Sequence, residues 1–222
     1  MKTNIQHIIG ILIGSLLFTY AQEGTPQAVS LFDGQTLSGW KVLNESHHAK
    51  YWSVTDGTIQ CSSGGEKMKP TTFLYSEKAY EDFIFTCKFR ITGDYSTGLV
   101  NSGIQYRSIV EQAKPHKHWR IVGYQADIGR GWWGGIYDEH RRGNIYKVDA
   151  KALLQSAFKE DAWHTYRIVC KGDNHKLYIN GILTADYVEE DETIPSKGHF
   201  ALQLHGGGIC QIQYKDIKII EL

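Results

Sequence analysis

The stretch "HKLYINGILTADYV", residues 175–188, decides the fold. Two runs rich in apolar residues flank Asn180-Gly181, a dipeptide that adopts the positive φ angles a two-residue hairpin turn requires. The same design recurs outward in both directions. "YWSVTDGTIQCS" (51–62) reads as strand, Asp56-Gly57 turn, strand. "LFDGQTLSGWKV" (31–42) turns at Asp33-Gly34 and carries Trp40 as a core aromatic. Period-2 alternation broken by turn residues is the pattern of an antiparallel β-protein. One short helix is predicted over 150–158, with Asp149 as N-cap and Leu153, Leu154 and Phe158 as its apolar side. With no repeat, no low-complexity tract and four prolines, no linker divides the chain. The expected architecture is all-β: one jelly-roll β-sandwich of two antiparallel sheets with one short helix, spanning 24–222.

The amino-terminal segment reads differently. Lys2 precedes an apolar run from Ile8 to Tyr20, too short to span a bilayer comfortably, and Thr19 and Ala21 stand where a signal peptidase reads small residues. The expectation is a signal peptide over 1–21, export to the periplasm or medium, and no membrane-integral segment once it is removed. The whole chain balances 24 basic against 24 acidic residues without a basic stripe, which argues against a nucleic-acid partner. Six tryptophans and thirteen tyrosines lie near glycines and charged residues, a mixture suited to carbohydrate, whose C–H faces stack on rings. Of four cysteines, Cys87 shares a face with Phe83, Phe85, Phe89 and Ile91, while Cys170 and Cys210 alternate with core-type residues. Cys61 lacks such a pattern. Buried free thiols are therefore favoured over disulfides, and with no C-x-x-C pair a thiolate zinc site is disfavoured.

Three strands pair a good apolar face with an unusual polar one. In "NSGIQYRS" (101–108), Asn101, Gly103, Gln105 and Arg107 alternate with Ile104 and Tyr106. In "IVGYQADIG" (121–129), Gln125 and Asp127 oppose Val122, Tyr124, Ala126 and Ile128. In "GHFALQLHGG" (198–207), His199, Ala201, Gln203 and His205 oppose Phe200, Leu202 and Leu204. A plain solvated face carries mostly Lys, Glu and Thr; amides offer a donor and an acceptor in one plane, which suits vicinal hydroxyls. From Asp127 the chain continues through a glycine-rich excursion bearing Trp132 and Trp133, then returns with Tyr137, Asp138, Glu139, His140, Arg141 and Arg142.

These motifs, with "WWGGIYDE-RR" and the closing "GHFALQLHGGGICQIQYKDIKIIEL", resemble the 3-keto-disaccharide hydrolase family over nearly the whole chain from "SLFDGQTLSGW" onward. The chain departs from the family where Gln213 to Asp216 replaces a typical Phe-Arg-Asn, and at Gln125, where many members carry Glu. The resemblance implies a concanavalin-like, LamG-like sandwich. It also implies cleavage of glycosides already oxidised at C3 by a separate sugar oxidoreductase. A C3 ketone acidifies the C2 hydrogen, so a base can remove it, the C1 leaving group departs by β-elimination, and water adds to the enone. The chemistry needs a base, an acid for the leaving oxygen and a donor at the enolate oxygen. Asp127 or His205 is the candidate base, Glu139 the acid, and Arg107, with Arg141 or Arg142, the enolate partner. Gln105, Gln125 and Gln203 are expected to place hydroxyls, and Trp132 and Trp133, with Tyr137, to hold the ring. A divalent metal on Asp127, Glu139, His205, His116 or His118 is a further option. The alternatives are a non-catalytic, lectin-like glycan-binding module and an ordinary glycosidase using Asp127 and Glu139 as a carboxylate pair.

Overall fold

The computed structural model describes residues 27–115, 118–148, 153, 158–159 and 161–222. The expected signal peptide and most of the predicted 150–158 helix lie outside these residues. Two antiparallel sheets face each other. The back sheet runs, in spatial order, β13 (Ile182–Val188), β12 (Asn174–Ile179), β11 (His164–Lys171), β6 (Phe83–Asp94), β15 (Ile209–Glu221), β4 (Thr58–Ser62) and β3 (Trp52–Thr55). A short β1 (Val29–Ser30) pairs with the end of β15. The front sheet runs β10 (Gly143–Tyr146), β9 (Ile136–Glu139), β8 (Trp119–Gly129), β7 (Asn101–Gln112), β14 (Gly198–Leu204), β5 (Thr72–Tyr80) and β2 (Trp40–Val42). A four-residue helix, Glu45–His48, follows β2.

The core forms where the alternation places it. Phe83, Phe85, Cys87, Phe89 and Ile91 of β6, with Tyr166, Ile168 and Cys170 of β11, meet Ile104, Tyr106, Tyr124, Ala126, Ile128, Phe200, Leu202 and Leu204 from the front sheet. Every one of these is almost fully buried, and burying each large apolar side chain is worth about 1.5–3 kcal/mol. Two of the three turns read from the sequence are left-handed at both residues, Asp56 and Gly57 at φ 50° and 68° and Asn180 and Gly181 at 52° and 80°, while at Asp33-Gly34 only the glycine is, at 81°. All four cysteines, Cys61 included, are buried free thiols. Burial pushes the Cys87 and Cys61 thiols well up, so they act as small core residues. No helix among the described residues is long and apolar enough to cross a membrane.

Two irregularities reset the alternation. In β15 the register shifts between Lys215 and Lys218, with Asp216 at φ 52°, which returns Ile217 and Ile219 to the core. In β7 the register against β8 shifts between Tyr106 and Ile109, with Arg107 at φ 46°. A bulge of this kind re-aims side chains, and here it removes Arg107 from the outer face.

Candidate functional site

The outer face of the front sheet carries the polar positions of β7, β8, β9 and β14. Cross-strand register sets Gln105 opposite Gln125, Gln125 opposite Tyr137, Gly103 opposite Asp127, and Gln203 opposite Gly103. Gly103 is a glycine for a local reason: a Cβ there would lie 2.5 Å from Gln125 Cδ. The missing side chain is the space into which the Gln125 amide folds.

That amide is fixed by three bonds. Gln105 Nε2 donates to Gln125 Oε1 at 2.7 Å, and Gln203 Nε2 donates to the same oxygen at 2.6 Å. Gln125 Nε2 in turn donates to Asp127 Oδ1 at 2.7 Å. With Oδ1 engaged, Oδ2 is the oxygen that can accept or deliver a proton in the cavity. Desolvation is the largest influence on Asp127 and raises its pKa to about 7; the Gln125 hydrogen bond opposes this and the Glu139 charge adds to it. Burial, and then the neighbouring Asp138 charge, also raise Glu139, so both carboxyls are easier to protonate than ordinary ones.

Asp127 and Gln125 open into a cavity of about 200 Å³. Its wall is completed by Tyr137 and Glu139 of β9, Asn101 at the start of β7, His205 just beyond β14, and Leu99 and Trp132. His205 Nδ1 donates to the Gly206 carbonyl, so Nε2 is the ring nitrogen not engaged by that bond. Its backbone N–H is tied to Asn101 O at 3.1 Å, holding β14 and β7 together at this end. Burial raises the Tyr137 phenol, followed by the Glu139 and Asp127 charges, so it stays a neutral donor.

Asp127, Glu139, His205, Gln125, Trp132 and Tyr137 thus meet as read from the sequence. The other assignments are corrected. Arg107 crosses between the sheets: Nε donates to Glu81 O at 2.9 Å, Nη1 to Gly172 O at 2.8 Å, and Nη2 reaches Asp82 Oδ1 at 3.0 Å. It lines a separate pocket with Tyr124 and His175. Arg141 and Arg142 follow Asp138, which points to the opposite face of β9 from Glu139. Both bond its buried carboxylate, at 2.7 and 2.6 Å, and Arg142 also bonds Glu189. Trp133 is 1% exposed and packs against Phe158 and Phe89, whereas Trp132 is 40% exposed. The turn itself explains the split. Gly134 N donates to Asp127 O and Asp127 N to Gly135 O, closing the loop, and a Cβ on Gly134 would meet Thr184 of the back sheet at 2.4 Å. The turn is therefore pressed onto the sandwich end with Trp133 inside. Gln105 and Gln203 are fully buried and act on Asp127 through Gln125 rather than on a ligand hydroxyl.

For a metal, Asp127, Glu139 and His205 line one cavity, but among the described residues no three His, Cys, Asp or Glu side chains are grouped to hold an ion. His118 lines a second, larger cavity with Trp119 and Tyr75, and His116 lies outside the described residues. Leu99 sits in a loop between strands, where no periodicity flags it as part of the site. Asn101, by contrast, was on the polar face and belongs in the site.

Two antiparallel sheets packed face to face, with a polar cavity on one sheet face, define a concanavalin-like jelly-roll β-sandwich. The chain belongs to the family of the 3-keto-alpha-glucoside-1,2-lyase-like domain, whose model matches residues 27–220. Membership gives it a carbohydrate-related function. No curated protein matches the chain. Among solved structures, a glycosyl hydrolase candidate from Parabacteroides distasonis ATCC 8503 is 19% identical with TM-score 0.61, covering 88% of this chain and 94% of that one. The carbohydrate-binding module CBM66 from Bacillus subtilis is 16% identical with TM-score 0.59, covering 84% and 98%. A laminarinase from Flavobacterium sp. UMI-01 is 10% identical with TM-score 0.56, covering 88% and 99%. At these identities the likeness is one of fold.

Proposed function

We propose that the protein is an exported enzyme that cleaves 3-keto-glycosides by elimination across C1–C2, at the cavity floored by Asp127. One observation carries this reading: a buried carboxylate, oriented by a three-amide chain, shares a single small cavity with Glu139, Tyr137 and His205. Such an arrangement is built to move protons near neutral pH. Asp127 Oδ2 takes the C2 proton of the keto sugar. The C2–H electron pair delocalises onto the C3 oxygen, where Asn101 and the Tyr137 phenol are the neutral donors at hand. Return of that pair forms the C1=C2 bond and expels the C1 oxygen, which takes a proton from Glu139. Hydration of the enone then completes net hydrolysis, or the enone is released. The family description supports the elimination step, and an upstream oxidoreductase must supply the C3 ketone.

The test is aglycone release from a glucoside and from its 3-keto derivative, followed with the ultraviolet absorbance of the enone. Cleavage of the keto form with a transient or accumulating enone is expected. Equal cleavage of both sugars overturns the reading in favour of an ordinary glycosidase. Binding of both without turnover favours a glycan-binding module, a role consistent with the fold shared with CBM66.

A further inference from the structure

The cavity is small and its mouth differs chemically from its floor. A volume of about 200 Å³ equals roughly seven waters at ~30 Å³ each, the scale of a single sugar ring. With the keto ring against Asp127, the group bonded to C1 lies at the mouth. Two large apolar side chains stand there, Leu99 at 46% and Trp132 at 40% exposure.

Both are held on rigid backbone. Leu99 N donates to Gly207 O at 3.2 Å. A Cβ on Gly98 would lie 2.0 Å from Gly207 O, and one on Gly208 would lie 2.1 Å from Leu99 O. The two turns therefore touch backbone to backbone, which only glycine permits, and Leu99 is fixed at the rim. Trp132 is fixed by Trp132 N to Gly129 O at 2.9 Å and Gly135 N to Trp132 O at 3.0 Å. Rigid apolar side chains displayed beside a polar cavity mark a contact surface for a ligand.

We propose that Leu99 and Trp132 form a leaving-group subsite for a flat, apolar aglycone, so that aryl 3-keto-glycosides are preferred over 3-keto-oligosaccharides. The proposal rests on the elimination reading above and deepens it. The chemistry of the lining agrees. None of the described residues that line the cavity is Lys or Arg, so no permanently charged cation stands among them to stabilise a departing oxyanion. A phenol, with a pKa near that of tyrosine at ~10, carries the electron pair of the broken C1–O bond far more readily than a sugar alkoxide does. The C2–H pair becomes the C1=C2 bond, and the phenolate is protonated by Glu139 or solvent, so no oxidant is needed.

The experiment uses 3-keto-glucosides with methyl, cyclohexyl, phenyl and glucosyl aglycones on the full protein. Methyl and cyclohexyl leave as similar alkoxides, so their ratio reads contact rather than leaving-group acidity. Wild type is expected to show about ten-fold higher kcat/KM for cyclohexyl than for methyl, and a higher value for phenyl than for glucosyl. Leu99→Ala and Trp132→Ala should each shrink the cyclohexyl-to-methyl ratio about five-fold, through KM, while Leu99→Met retains it. A wild-type preference for the glucosyl aglycone, or an unchanged ratio in both alanine variants, overturns the subsite. If no keto-glycoside is cleaved, the elimination reading fails first. Calorimetric binding of the same four compounds then decides the subsite alone: tighter phenyl than methyl binding supports it, equal binding ends it.

Discussion

The central residue is Asp127, and its properties follow from where its two oxygens point. Gln125 occupies Oδ1, and the cavity makes the carboxylate anion costly enough to raise its pKa to about 7. As the proposed base it must be ionised while Glu139, the proposed acid, must be protonated, so kcat/KM on a 3-keto-glucoside should trace a bell against pH, with the Asp127 limb near 7. Asp127→Asn should lower kcat by at least about 100-fold, read by aglycone release; a fall of less than ten-fold would assign the base to His205. Gln125→Glu is the sharper variant. It places a second carboxylate 2.7 Å from Asp127 Oδ1, and two carboxylates at that separation do not ionise together. The acid limb of the pH profile should move up by at least about one unit. An unmoved limb would show that this amide does not set the behaviour of Asp127.

At the scale of elements, the β7 bulge separates structure from chemistry. Arg107 enters the bulge in left-handed backbone and spends its guanidinium on two carbonyls, Asp82 and His175. Arg107→Met should lower unfolding free energy by about 3 kcal/mol, because buried acceptors lose their donors, and leave kcat/KM within about two-fold. Denaturant unfolding and the keto-glucoside assay measure the two numbers; a large loss of turnover in a stable variant would return Arg107 to the reaction. The bulge also marks where sequence reading stops. Alternation places Asn101, Gln105, Gln125, Asp127 and Gln203 on one face because every residue between Asn101 and Gln105, and between Gln125 and Asp127, keeps the pleat. One left-handed residue then breaks the period, and nothing in "QYRS" distinguishes it from a regular strand. The paired tryptophans fail for a related reason: a turn has no period, and only the contact of Gly134 with Thr184 decides that Trp133 goes in and Trp132 stays out. The hairpin at Asn180-Gly181 was legible because its conformation is dictated by two adjacent residues.

Across the whole molecule, two buried titratable groups pull stability in opposite directions. Asp127 has its pKa raised from 3.8 to about 7, chiefly by desolvation, so the folded state binds the proton more tightly than the unfolded chain does. Its contribution is fully present below pH 3.8 and is lost as pH rises through 7. His175 lies between the sheets against Tyr106 and Tyr124, with Arg107 Nη1 facing its Nε2 at 3.2 Å. Desolvation, then the Arg107 charge, lower its pKa from 6.5 to about 3. Its contribution is present above pH 6.5 and is lost as pH falls through 3. At 1.36 kcal/mol per unit, the two are of similar size, on the order of 4 kcal/mol each, and their windows overlap almost completely. In the wild type they cancel between about pH 4 and 6.5; single variants uncover them. The stability of Asp127→Asn minus that of wild type should climb by several kcal/mol from pH 4 to 7, and the corresponding difference for His175→Gln should fall across the same range. Denaturant unfolding at half-unit pH steps measures both curves. Parallel curves for variants and wild type would mean that neither group is held in the folded state with the proton affinity assigned to it. The expected opposition has a functional reading. A site that raises a carboxyl for catalysis loses stability at the pH where it works, and the neutral histidine packed against Tyr124, behind the Gln125–Asp127 strand, offsets that loss on the acid side by making the fold itself favour neutral pH.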